Sequence, residues 1–84
     1  MVPPHDRFVK IKGLVTPAGW DERGNVIALA ISAFNEDEYL IEKNRKGDQL
    51  YTFIRKEVEV RGIVDESGGK KRIKIKEYHI RSSV

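Results

Sequence analysis

Two stretches of this chain alternate apolar and polar residues, and each carries a glycine on its apolar face. In Val9-Lys10-Ile11-Lys12-Gly13-Leu14-Val15, the residues Val9, Ile11, Gly13 and Val15 share one side. Lys10 and Lys12 point the other way, bracketed by Phe8 and Leu14. In Glu57-Val58-Glu59-Val60-Arg61-Gly62-Ile63-Val64, Val58, Val60 and Val64 alternate with Glu57, Glu59 and Arg61. A period of two is the spacing of a strand with one buried face. A glycine at an inward position marks a sharp bend or a close backbone approach. A bend at Gly13 would let one long strand serve two sides of a barrel, so closure rather than an open sheet is the expectation.

The rest of the chain supplies the other elements. Thr16–Asn25 is dense in Pro, Gly and polar residues and reads as a loop. Val26–Ile31 is apolar on both parities, and its β-branched Val26, Ile27 and Ile31 favour a covered strand over a short helix. Asn35-Glu36-Asp37-Glu38 is an acidic turn, Tyr39–Glu42 a short third strand, and Lys43–Gly47 a basic loop. Asp48 has the chemistry of a helix N-cap. Leu50, Phe53 and Ile54 follow at the i, i+3, i+4 spacing of an apolar helix stripe, with Arg55 and Lys56 at the C-terminal end where the helix dipole favours cations. Asp65–Lys70 is a hairpin turn. The last strand runs Lys71–Ile80, with Ile73 and Ile75 on one parity and Tyr78 and Ile80 on the other, which predicts a bulge near Lys76-Glu77.

Three strands, one short helix and two strands, with glycine bends in the first and fourth, define an all-β, five-stranded Greek-key barrel of the OB type with one helix between strands 3 and 4. A ferredoxin-like fold would need a helix where this chain has Pro17, Gly19 and Gly24. Through Val9–Val15, Gly47-Asp48-Gln49-Leu50 and Val58–Val64, the chain resembles small prokaryotic OB-fold domains of the nucleic-acid-binding superfamily. The resemblance spans nearly the whole chain, but its motifs specify the barrel and not a substrate. The superfamily's binding sheets often carry several aromatics, and strands two and three here carry few.

With 84 residues the chain forms one domain, 1–84, with 1–6 expected to fray. It has no cysteine, hence neither disulfides nor thiolate metal sites. The start lacks an apolar run of signal-peptide length and no stretch could cross a bilayer, so a cytoplasmic protein is expected, and a monomer; the rival is a piece of a longer or exported chain. Nothing suggests catalysis: there is no glycine-rich phosphate loop, no Ser or Thr beside a base, and no histidine pair. His5 lies in the frayed terminus, and His79 would need Glu77 or Glu59 to build a metal site. No cofactor is expected.

Residues 1–42 hold four Lys/Arg and seven Asp/Glu, net −3, and residues 43–84 hold twelve and six, net +6. Such a split suits a basic face for polyanions. OB folds bind oligonucleotides across strands two and three, flanked by the 1–2 and 4–5 loops. In this chain that maps to Trp20 and Arg23 in the first loop, Tyr39 on strand three, Lys70, Lys71 and Arg72 in the 4–5 hairpin, and Lys74 and Lys76 along one face of the last strand. Cations would follow the backbone of single-stranded DNA or RNA while aromatics stack on bases. Each has a plainer role: Trp20 as a lid over a barrel end, Phe34 in the core, the lysine row as a solvated face that discourages edge pairing. Glu36, Asp37 and Glu38, joined by Asp21 and Glu22, would repel phosphates. If they line the groove mouth, a protein partner becomes the first reading and nucleic acid the second. An oligosaccharide stacked on Trp20 and Tyr39 near Asp21, Asn35 and Glu38 is a third.

Overall fold

β1 (Asp6–Trp20) divides its length between two neighbours in this computed structural model, which describes residues 6–81. From Asp6 to Leu14 it pairs antiparallel with β4 (Glu57–Ser67), and from Gly13 to Trp20 with β2 (Val26–Ala33). The handover falls on Gly13. β3 (Glu38–Ile41) pairs antiparallel with β2 and parallel with β5 (Lys70–Ile80), which pairs antiparallel with β4. The order β1-β2-β3-β5-β4 closes into a barrel, with a helix between strands three and four. This is the five-stranded OB arrangement.

The interior follows the alternation. Val15, Ile31, Leu50, Val58, Val60 and Ile73 are fully enclosed, with Ile11, Leu29, Val64 and Ile75 beside them. Phe8 and Leu14 stay on the outer face with the lysines between them. At both mid-strand glycines a neighbouring strand's backbone occupies the space a side chain would need. A Cβ on Gly13 would lie 2.3 Å from the Ser32 carbonyl oxygen, and one on Gly62 2.1 Å from that of Lys74. The register shift between Arg61 and Gly62 skips Lys76, which is the expected bulge. Gly68 and Gly69, both at positive φ, form the two-residue β4–β5 turn.

Three local expectations are corrected. First, Thr16–Trp20 is strand rather than loop, and only Asp21–Asn25 is loop. Pro17 is tolerated because a strand's N–H groups alternate sides. Val15 donates to the Lys56 carbonyl on the β4 side, and Pro17, two residues on, faces the same way where β4 offers no partner. Bulges around Ala18 and Gly19 absorb the irregular composition. Second, the helix starts earlier than Asp48 and is shorter: α1 spans Arg45–Gln49 and passes into a 3₁₀ turn, Leu50–Phe53. Its cap is Asn44, whose Oδ1 accepts from the Gly47 N–H at 2.7 Å while its Nδ2 donates to the Ile75 carbonyl at 2.9 Å. An amide can do both; the Asp48 carboxylate, acceptor only, could not also reach a strand carbonyl. Third, Arg55 is not helical. It adopts φ 73° and its N–H donates to the Val15 carbonyl at 2.7 Å, turning the chain into β4. Leu50 is nevertheless enclosed, with Phe53 and Ile54 packed against the core, so the stripe closes the barrel as expected. The expected fraying of 1–6 lies outside the described residues for 1–5, and Asp6 already belongs to β1.

Asn44 thus joins α1 to β5. Asn44→Ala is expected to lower unfolding stability by about 1–2 kcal/mol through loss of the cap and stranding of the Ile75 carbonyl. Asn44→Asp, which keeps the cap and removes the donor, should recover part of that loss in chemical denaturation. Equal stability of all three proteins would show that the contact contributes nothing.

Candidate binding groove

Because Tyr39 and Ile41 turn inward with Ile31 and Ile73, the residue between them, Leu40, faces out. It floors an open groove of about 600 Å3. Pro17, Ala18 and Trp20 at the end of β1 form one wall. Glu36, Asp37 and Glu38 enter from the β2–β3 turn, and Gly69, Lys70 and Lys71 from the β4–β5 hairpin. Trp20 is 57% exposed and forms a groove wall rather than the expected lid over a barrel end.

The expected binding residues divide. Trp20, Lys70 and Lys71 share the groove. Tyr39 does not; it lies on the inner side of β3, packed against the core, with the Lys71 ammonium 5.6 Å from its ring centre. Arg23 is exposed in the Asp21–Asn25 loop, away from the groove walls. Arg72 borders a smaller neighbouring depression with Ala28, Leu29, Leu40, Ile41 and Glu42. Lys74 and Lys76 continue along the exposed face of β5. Phe34, expected in the core, is 61% exposed.

Three carboxylates and two ammoniums thus line one groove. Lys71 is committed to Asp37, Nζ to Oδ2 at 3.0 Å, and that hydrogen bond raises the Lys71 pKa. Glu36 and Glu38 then outnumber Lys70. Glu36 is held in the turn at φ 75°, with its N–H donating to the Ala33 carbonyl. In the neighbouring loop the Asp21 carboxylate accepts from the N–H groups of Asn25 and Arg23, both at 2.9 Å. The bonds from Asn25 hold its pKa below the ordinary value. Asp21 is therefore a structural member of the loop and keeps its negative charge.

Leu40, Pro17 and Ala18 were not anticipated as groove residues. Leu40 was legible once Tyr39 and Ile41 were read as inward; the other two were hidden by reading their segment as loop.

Among the described residues, no group of three or more His, Asp or Glu is arranged to hold a metal. His79 stands opposite Glu59 in the β4–β5 ladder, but the Glu59 oxygens already meet Lys10 at 3.5 Å and Arg81 at 3.2 Å. Burial alone would raise the Glu59 pKa; Lys10 and Arg81 bring it below the ordinary value. No helix among the described residues is long and apolar enough to cross a membrane.

Fold and groove together define the class of molecule: a small closed β-barrel of OB type with a shallow, mixed-charge groove on its outer face. Comparison with protein-family models, with curated proteins and with solved structures finds no match to this chain.

Proposed function

We propose that this barrel is a non-catalytic binding module and that its groove takes a segment of a protein partner. The observation that carries this reading is the placement of Glu36, Asp37 and Glu38 in the groove wall, with Lys71 neutralised by Asp37. A phosphodiester chain laid there would meet more negative than positive charge, in a groove whose one aromatic among the described residues is Trp20. A peptide with an apolar side chain for Leu40 and Trp20 and a basic side chain for Glu36 or Glu38 is electrostatically matched. Single-stranded nucleic acid is the second reading, supported by the exposed row Lys70, Arg72, Lys74 and Lys76 on one face of β5. Each of these that reached a phosphate would add salt-dependent affinity.

Titration separates the two, with Trp20 fluorescence and backbone amide shifts as readouts. The capped pentapeptide Leu-Lys-Leu-Lys-Leu is expected to quench or shift Trp20 and to move the amides of Glu38 and Leu40. Mixed-sequence single-stranded DNA and RNA are expected to give no response at submillimolar concentration in low salt. Salt-sensitive oligonucleotide shifts on Arg23, Tyr39 and Lys70–Lys76, with no peptide response, would reverse the order of the readings.

A further inference from the structure

The ring of strands is closed, but one edge of β1 runs on past its ladder with β2. β4 follows that strand from Asp6, but β2 begins only at Gly13, so over Phe8–Lys12 no strand among the described residues lies along the second edge. The direction of the backbone groups there follows from two hydrogen bonds. Phe34 N–H donates to the Lys12 carbonyl on the β2 side, and Val15 N–H donates to the Lys56 carbonyl on the β4 side. By alternation, Phe8 and Lys10 turn both N–H and C=O toward the open edge, as does the Lys12 N–H, while Val9 and Ile11 serve β4. Beside this edge lies an open depression of about 520 Å3. Val9, Ile11, Ala33, Tyr39 and Val64 give it apolar walls, and Phe34 stands at its margin.

We propose that this edge accepts an extended peptide strand from a protein partner, and that the strand alternates apolar and acidic residues. A row of outward backbone donors and acceptors at strand spacing is matched by another polypeptide backbone. Side chains of the incoming strand opposite Val9 and Ile11 point into the apolar depression. Those opposite Lys10 and Lys12 lie on the outer face, where two ammoniums favour carboxylates. Glu59 meets Lys10 from the β4 side but is shared with Arg81, so Lys10 and Lys12 keep positive charge that a carboxylate arriving from the open side would balance. A second copy of this chain is a poor occupant, since pairing β1 with β1 would bring four lysines together. The inference shares with the groove reading only the idea of a protein partner; it concerns a different surface, across the Phe34–Asp37 turn, and prefers the opposite charge.

The experiment is an amide-resolved titration of the whole chain with the capped pentapeptide Leu-Glu-Leu-Glu-Leu, with Leu-Lys-Leu-Lys-Leu in parallel. The acidic peptide is expected to shift the amides of Phe8, Lys10 and Lys12 and slow their exchange. The basic peptide should bind this edge roughly tenfold more weakly and move Glu38 and Leu40 instead. The K10E/K12E variant should reverse the preference at the edge. Lys10→Pro, which removes an outward N–H that β4 does not use, should abolish edge binding while leaving basic-peptide binding in the groove intact. If the proline disturbs the spectrum, the charge reversal alone decides. Three results would each overturn the edge proposal: no response of Phe8–Lys12 to millimolar acidic peptide, equal binding of both peptides there, or concentration-dependent dimerisation through this edge without peptide. Loss of the groove response alone would overturn the groove reading and leave the edge standing.

Discussion

Gly62→Ala is expected to destabilise this protein more than any other alanine substitution of a glycine, by about 3 kcal/mol or more. The added Cβ would lie 2.1 Å from the Lys74 carbonyl oxygen, 2.9 Å from its carbon and 3.2 Å from Ile73 Cγ1. Two of these three atoms belong to the backbone of a strand hydrogen-bonded to the glycine's own, so no side-chain rotation relieves the overlap. The bulge at Lys76 would have to move, and with it the register of β5. Against a typical total stability of about 5–15 kcal/mol, such a loss takes a large share. Gly13→Ala should follow closely, because the Ser32 carbonyl oxygen stands 2.3 Å away. Gly19→Ala is the control: its nearest neighbour is the Ala28 Cβ at 3.3 Å, a contact that a small shift relieves. Guanidinium unfolding of the three variants tests the ranking. A Gly62→Ala midpoint equal to that of the parent would show that the two strands are farther apart than described.

Leu50→Ala is the second large effect, about 2–5 kcal/mol. Leu50 is completely enclosed, and it is the residue by which the 3₁₀ turn joins the buried core and closes one end of the barrel. Truncation removes apolar contacts and leaves a cavity whose walls are rigid strands on most sides, which limits collapse. Phe53 and Ile54 are only partly buried, and their alanine variants should cost less despite the greater size of phenylalanine. Thermal or chemical denaturation reads the difference. A loss at Leu50 smaller than at Phe53 would mean that the aromatic ring, tilted against Tyr78 at 6.3 Å, carries the closure instead.

The barrel was legible because its signals are local and redundant. Val58, Val60 and Val64 alternate without interruption, and the inward glycines and the parity change from Ile75 to Tyr78 each survive into the structure. What the sequence concealed depended on long-range partners. Pro17 reads as a loop residue until it is known that its missing N–H faces a side without a strand. Asn44 and Asp48 are both respectable caps, and the Ile75 carbonyl, thirty-one positions away, favours the amide. For the groove, charge counts along the chain announced a basic second half but could not reveal that Lys71 is tied to Asp37. They could not place Tyr39 either, because a four-residue strand has too little pattern to declare which parity is inward. The open edge of β1 was beyond reach as well, since it comes from where β2 stops relative to β4 and not from any residue type in the edge itself.

The divided pairing of β1 also sets an order for assembly. The β4–β5 hairpin, closed by two glycines, and the β1–β2 hairpin around Asp21–Asn25 can each form from neighbours in the chain. The ladder between β1 and β4 cannot; it joins segments separated by β2, β3 and the helical turns, and its closure entropy is recovered only once both hairpins stand. The seam from Phe8 to Gly13 is therefore expected to zip last in refolding. Pulse-labelled hydrogen exchange would show Glu59 and His79, which face each other across β4 and β5, protected before Val9 and Ile11, and simultaneous protection would contradict that order. In the last-formed half of β1, Val9 and Ile11 close the seam while Phe8 and Lys10 face the free edge, so folding and recognition draw on different backbone groups of one strand, and a partner strand could dock before or after the barrel shuts.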